Sequence, residues 1–123
     1  MIINVSVLMV TYDKENATRL FKCLTSIVEQ TKQPDEVIVC LDGEVRQELK
    51  DVLASFDGPL PLRLIQNQKI GLGRNLNIGL SQCSNDIIIR CDSDDINLNN
   101  RFQVQADILS NNNDIVLTSS PAI

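Results

Sequence analysis

The sequence predicts an α/β protein built on one open, mostly parallel sheet with helices on both faces. Three observations carry that expectation. Short apolar runs rich in β-branched residues, such as "VSVLMV" and "DIIIRC", have the length of buried strands. Between them, apolar residues recur with helical spacing. Strand and helix signals alternate along the chain, and that order requires crossover connections between parallel strands. At 123 residues the chain has the length of one domain, long enough to bury about two-thirds of its unfolded surface.

The first strand spans Val5 to Val10, interrupted only by Ser6, and the loop Thr11 to Asn16 follows it. Leu20, Phe21, Leu24, Ile27 and Val28 give a helix over Ala17 to Gln30 its apolar face, and Gln33-Pro34 stops it. "EVIVCLDG", Glu36 to Gly43, is a strand closed by an Asp-Gly turn. Val45, Leu49, Val52, Leu53 and Phe56 mark a second helix, and "GPLP" breaks the chain before a short strand, Leu62 to Gln66. Gly71 and Gly73 open a helix to about Cys83. "DIIIRC", a helix over Arg101 to Leu109, the Asn-rich "NNND" and a last strand, Ile115 to Thr118, complete the order.

In open parallel sheets, ligands bind beyond the carboxyl ends of the strands, near a switch in strand order. Three polar clusters fall at such ends, Thr11 to Glu15, Asp42-Gly43 and Asp92 to Asp95, so they are expected to share one cleft. Composition narrows what that cleft does. Eleven basic against sixteen acidic residues, net charge -5, oppose nonspecific binding to nucleic acid or anionic membrane. No apolar run is long enough to span a bilayer and Met1 is followed by no leader-like pattern, so the cytoplasm is the expected location. With no histidine at all, the commonest general base and transition-metal ligand are absent. Cys23, Cys40, Cys83 and Cys91 have no C-x-x-C spacing and sit in apolar surroundings, as buried thiols do.

"DSDD" places three carboxylates in four positions, Asp92, Asp94 and Asp95, and they repel unless a cation or hydrogen-bond donors intervene. Mg²⁺ or Mn²⁺ suits such oxygen ligands, often with only one or two carboxylates and with phosphate and water completing the shell. Capping of the next helix fits the same residues. An EF-hand does not, because Asn97 and Gln103 occupy its glycine and glutamate positions. "NQKIGLGRNLNIGL" sets Lys69 and Arg74 around a glycine-containing helix start suited to phosphate, and a plain glycine turn fits it as well. It is neither a Walker loop nor a dinucleotide fingerprint. Asp42 could meet a nucleobase or ribose, or simply make the turn.

Taken in order, "VSVLMVTYDKENATRLFKCLTSIVEQT", "PDEVIVCLDG" and "NQKIGLGRNLNIGLSQCSNDIIIRCDSDDINLNNRF" resemble the N-terminal half of a family 2 glycosyltransferase of GT-A fold, across nearly the whole chain. The resemblance implies that Thr11 and Tyr12, with Asp13 or Glu15, line the base end of a nucleotide-sugar site. It implies that Asp42 holds the nucleobase and that Lys69 and Arg74 lie beside the nucleotide and its phosphates. Asp92 and Asp94 match the D-x-D motif. Asp94 would be the main ligand of Mn²⁺ or Mg²⁺, Asp92 would contact ribose or a metal-bound water, Asp95 would support the loop, and Arg101 would be structural. The implied reaction is inverting transfer from a nucleotide-diphosphate sugar, UDP-linked in the commonest case, to a glycan or lipid-linked acceptor.

Two departures from the family pattern stand out. Asn99-Asn100 replaces the usual Pro-Asp or Pro-Glu before the arginine, and the family's catalytic base belongs to a C-terminal half beyond Ile123. This chain is therefore expected to bind donor without transferring sugar efficiently, and the surface which that half covers would be open to self-association. Competing expectations are a stand-alone nucleotide-binding domain and a haloacid-dehalogenase-type phosphatase. The latter's D-x-D-x-[TV] motif is broken by Ile96.

Overall fold

The computed structural model describes residues 3–111, so the strand expected over Ile115 to Thr118 lies outside them. Four strands alternate with four helices: β1 Val5–Tyr12, α1 Ala17–Val28, β2 Glu36–Asp42, α2 Gln47–Ser55, β3 Leu62–Asn67, α3 Leu72–Gln82, β4 Ile87–Arg90 and α4 Arg101–Asn111. Every pairing among the described strands is parallel, in the order β3-β2-β1-β4. From β1 the chain steps outward through β2 to β3, then returns across the sheet to place β4 on the other side of β1. The strand order therefore switches between β1 and β4, where crossovers to opposite sides leave a crevice open at the carboxyl edge.

The period-two alternation of β1 sorts its side chains onto two faces. Val5, Val7 and Met9 join Leu20, Leu24 and Ile27 of α1, Leu49 and Leu53 of α2, and Phe102 and Ala106 of α4 in the larger core. Leu8 turns the other way, to Ile38 and Cys40, with Val10 and Leu76 of α3 packed against them. Each fully buried Leu or Ile contributes about 1.5–3 kcal/mol. Tight packing of α3 rests on Gly79: a β-carbon there would lie 2.4 Å from Leu8 Cδ1 and 2.9 Å from Cys40 Sγ. Gly73 meets nothing within 4 Å, so the close approach belongs to Gly79 and not to the glycine pair that opens the helix. Gly71 instead supplies a backbone φ of 91° at the N-cap.

Helix α1 departs from the expected pattern in two ways. It ends at Val28 because Gln30 turns inward: its Nε2 donates to Ser26 O at 3.1 Å and to Leu98 O at 2.6 Å, while its Oε1 accepts from Phe102 N at 3.0 Å. Gln33 Nε2 then caps the helix, donating to Val28 O at 2.8 Å. Phe21, assigned to the apolar face, is 50% exposed; it sits at the edge of the buried stripe and packs on Phe56, with ring centroids 5.4 Å apart. Val28 is likewise exposed at the helix end. Three cysteines are buried and Cys83 is half-buried, all as free thiols. Burial raises their pKa values, that of Cys91 to about 12 and that of Cys83 to about 11.

Candidate functional site

A cleft of about 350 Å³ opens at the carboxyl edge of the sheet, lined by Val10, Tyr12, Glu15, Asp42, Leu72, Asp92, Ser93 and Asp94. Parallel register builds it. Tyr12 pairs with Asp42, and Asp42 with Asn67, so three polar residues end three strands at one level. Strand β4 stops lower, with Arg90 level with Leu8, and the Asp92 to Asp95 turn rises into the space that remains. Each of the three polar clusters therefore contributes side chains to the cleft.

The Asp92 to Asp95 loop is held at several points. Asp95 N donates to Asp92 O at 3.1 Å, and Cys23 Sγ of α1 donates to the same carbonyl at 3.3 Å. Arg101 fastens both ends from below: its Nη2 donates to Arg90 O at 2.7 Å and its Nη1 to Asn97 Oδ1. Arg90 also pairs with Asp92 Oδ1 at 3.2 Å, an exposed contact worth less than about 1 kcal/mol. Partial burial, then repulsion from Asp92 and Asp94, raises the pKa of Asp95 above its ordinary value. Among the described residues no three His, Cys, Asp or Glu side chains converge as a metal cage. The donor set instead fits a hard cation held by two carboxylates at the cleft, with open positions for phosphate oxygens and water, as Mg²⁺ and Mn²⁺ prefer.

Asp42 is fixed from the opposite wall. Its Oδ1 accepts from Ile70 N at 2.8 Å, Gly71 N at 3.1 Å and Asn75 Nδ2 at 2.9 Å. Desolvation works against its charge, but these donors and the nearby Lys69 prevail and hold its pKa below the ordinary aspartate value. A depressed carboxylate contributes stability that is fully present above its unfolded pKa and lost as pH falls through the folded value. Asp42→Asn should therefore lose the part of the acid limb that sets in as pH falls into the ordinary carboxylate range and through the lowered folded value. Denaturant unfolding of both proteins from about pH 6 to about pH 3 checks this, an unchanged acid limb counting against it.

The remaining expected site residues divide. Tyr12, Glu15, Asp42, Asp92 and Asp94 line the cleft. Thr11 does not: β1 alternation turns it to the opposite face from Tyr12, where it is fully buried and Oγ1 has no hydrogen-bond partner among the described residues. Asp13 does not line it either, because its Oδ1 accepts from Arg46 N at 2.8 Å at the start of α2. Arg46 clamps the same loop through Asp13 O and, at 2.8 Å, Glu15 O. Lys69 and Arg74 are exposed beyond the lining, on the β3–α3 segment. Sequence reasoning missed Val10, Leu72 and Ser93 in the lining, and Asn75 and Arg46 behind it. Val10 was available from its two-residue offset to Tyr12, and Ser93 from its place inside "DSDD"; nothing local marked Asn75 or Arg46.

Comparison with known proteins places this architecture. The chain is 44% identical over 116 residues to a UDP-Gal:alpha-D-GlcNAc-diphosphoundecaprenol beta-1,3-galactosyltransferase of Escherichia coli, covering 94% of this chain and 42% of that protein. It is 37% identical over 119 residues to the amylovoran biosynthesis glycosyltransferase AmsE of Erwinia amylovora, covering 96% and 45%. The chain thus spans less than half the length of these curated relatives. In fold it is similar to Staphylococcus aureus TarS 1-349, solved in complex with UDP, with a TM-score of 0.74 and 23% identity over 89% of this chain and 32% of that one. The mannosyltransferase PcManGT of Pyrobaculum calidifontis, solved with GDP-Man and Mn²⁺, gives 0.65 and 24% over 76% and 28%. Residues 6–123 match Glycosyl transferase family 2, and the chain belongs to that family.

Proposed function

We propose that this chain forms the donor-binding part of an inverting glycosyltransferase that takes its sugar from a nucleotide diphosphate, with UDP-galactose the first donor to test. The cleft carries the reading: an anchored carboxylate, Asp42, faces two further carboxylates, Asp92 and Asp94, across the switch point of a parallel sheet. Asp42 offers only acceptor oxygens, which suits a base edge that presents an N–H, as uracil does. The choice of UDP-galactose rests on the name of the 44% identical relative. Asp94, with Asp92, would hold Mn²⁺ or Mg²⁺, which would neutralise charge on the diphosphate as it leaves. Lys69 and Arg74, exposed on the adjoining segment, supply positive charge to the phosphates.

In an inverting transfer, an acceptor hydroxyl loses its proton to a carboxylate as it attacks the anomeric carbon. We assign that carboxylate, as the family resemblance implies, to a part of the enzyme outside the cleft. Glu15 is engaged through both oxygens, Asp42 is anchored by three donors, and Asp92 and Asp94 serve the cation. The acceptor is a glycan or lipid-linked sugar and the site of action the cytoplasmic face of the membrane, a reading that draws on the lipid-linked substrate in the same relative's name. No helix among the described residues is long and apolar enough to cross a membrane.

Calorimetric titration of UDP and UDP-galactose into the chain, with Mn²⁺ and with a chelator, tests the reading. Saturable binding weakened by about tenfold or more in chelator is expected, a difference of about 1.4 kcal/mol. Indifference to UDP, GDP and CDP with Mn²⁺ present would overturn it.

A further inference from the structure

Ser93 stands between Asp92 and Asp94 and faces away from solvent. It is 5% exposed, and its Oγ donates a hydrogen bond to Oε1 of Glu15, itself 8% exposed. The other oxygen of Glu15, Oε2, accepts from Asn16 N at 3.0 Å. Asn16 in turn caps α1, its Oδ1 accepting from Arg19 N at 3.0 Å, and Arg46 holds the backbone carbonyl of Glu15 at 2.8 Å. A single carboxylate therefore ties the loop after β4 to the loop after β1, across the two strands between which the chain order switches.

We infer that the Glu15–Ser93 bond is a positioning latch that fixes Asp92 and Asp94 toward the cleft, so that Glu15 serves the cation end of the site rather than the nucleobase. The stereochemistry is simple. With the middle side chain of D-S-D anchored inward, the turn is pinned between its two carboxylates, and both of these are exposed at the cleft. Burial keeps water from competing for the hydroxyl, and a hydrogen bond to a carboxylate is about twice as strong as a neutral one. Partners that orient metal ligands in this way typically change metal affinity ~10–100-fold when removed. The inference rests on the donor-binding reading for its consequence but not for its geometry, which is a bond between two loops.

The test compares the full chain with Ser93→Ala, Glu15→Gln, the double variant, and Ser93→Thr, which keeps the hydroxyl. Two readouts are taken: hydrogen–deuterium exchange across residues 91–97, and UDP affinity with Mn²⁺ and with chelator. Ser93→Ala is expected to speed exchange in that segment while α2 and β3 stay protected. It should weaken Mn²⁺-dependent UDP binding by about tenfold or more and leave binding in chelator nearly unchanged. The double variant should lose no more than the worse single one, as partners in one bond do, and Ser93→Thr should recover part of the loss. Unchanged exchange in Ser93→Ala overturns the latch, as does an equal loss with and without Mn²⁺. If wild type ignores UDP altogether, the donor reading falls, and exchange alone decides the latch.

Discussion

Asp94→Ala should abolish the Mn²⁺-dependent share of UDP binding, the same loss of about tenfold or more, at least about 1.4 kcal/mol, that a chelator brings. Asp94 is exposed at the cleft, and among the described residues its carboxylate takes part in none of the hydrogen bonds or ion pairs that hold the loop, which run through Asp92 O, Arg90 O, Asn97 and Ser93. The fold should therefore be indifferent to its removal, within about 0.5 kcal/mol as for ordinary surface substitutions. Removal also relieves part of the repulsion felt by Asp95. Asp92 is a less clean probe, since its side chain pairs with Arg90. Thermal unfolding without ligand and calorimetry with Mn²⁺ and chelator separate the two effects. A variant that binds UDP with Mn²⁺ as tightly as wild type would remove Asp94 from the cation site; one that melts far below it would show a structural role instead.

What the sequence displayed and what it concealed divide along contact range. Strand β4 and the carboxylates behind it were legible because Ile87, Ile88 and Ile89 and then Asp92, Asp94 and Asp95 fall in one short stretch, so period and charge appear in one window. Alternation along the chain was enough to expect a parallel sheet with helices on both faces, and the placement of polar residues at strand ends followed from it. Side-chain direction was less secure. Thr11 and Tyr12 are adjacent and both polar, yet pleating sends one into the core and one to the cleft. Extending β1 from Val10 to Tyr12 sets that parity, and strand ends are where sequence signals fade. Gln30 ended α1 early through Leu98 and Phe102, about seventy residues away, a partnership no local window contains. Glu15 is the instructive case: its acidity singled it out, but its long-range partner, Ser93, is brought close only by the return of the chain to β4.

Asn75 is the residue with the largest expected structural effect and the one least visible in sequence, where it is a polar position in an amphipathic helix. In the fold it is fully buried. Its Nδ2 donates to Asp42 Oδ1 at 2.9 Å and to Gly71 O at 2.8 Å, and its Oδ1 accepts from Asn67 Nδ2 at 2.7 Å. One amide thus joins the ends of β2 and β3 to the first turn of α3. Asn75→Leu keeps the approximate volume but deletes all three bonds. Gly71 O still accepts from Asn75 N at 3.2 Å, and Asp42 keeps its two backbone donors. Asn67 Nδ2 is the group left without its acceptor. With about 0.5–1.5 kcal/mol for each neutral bond and about 1.5–3 for the one to the carboxylate, the expected loss is about 2.5–6 kcal/mol. That is a large share of the roughly 5–15 kcal/mol that stabilises a domain. A drop in urea midpoint measures it, and UDP affinity in the folded fraction should fall about tenfold as Asp42 loses a fixed orientation. Asn75→Asp discriminates further: its oxygens can still accept from Asn67, but one now faces Asp42 Oδ1 in place of a donor. If the amide's service to Asp42 is what matters, Asn75→Asp should bind UDP no better than Asn75→Leu, whereas wild-type affinity in either variant would show that the two backbone N–H groups suffice to aim Asp42.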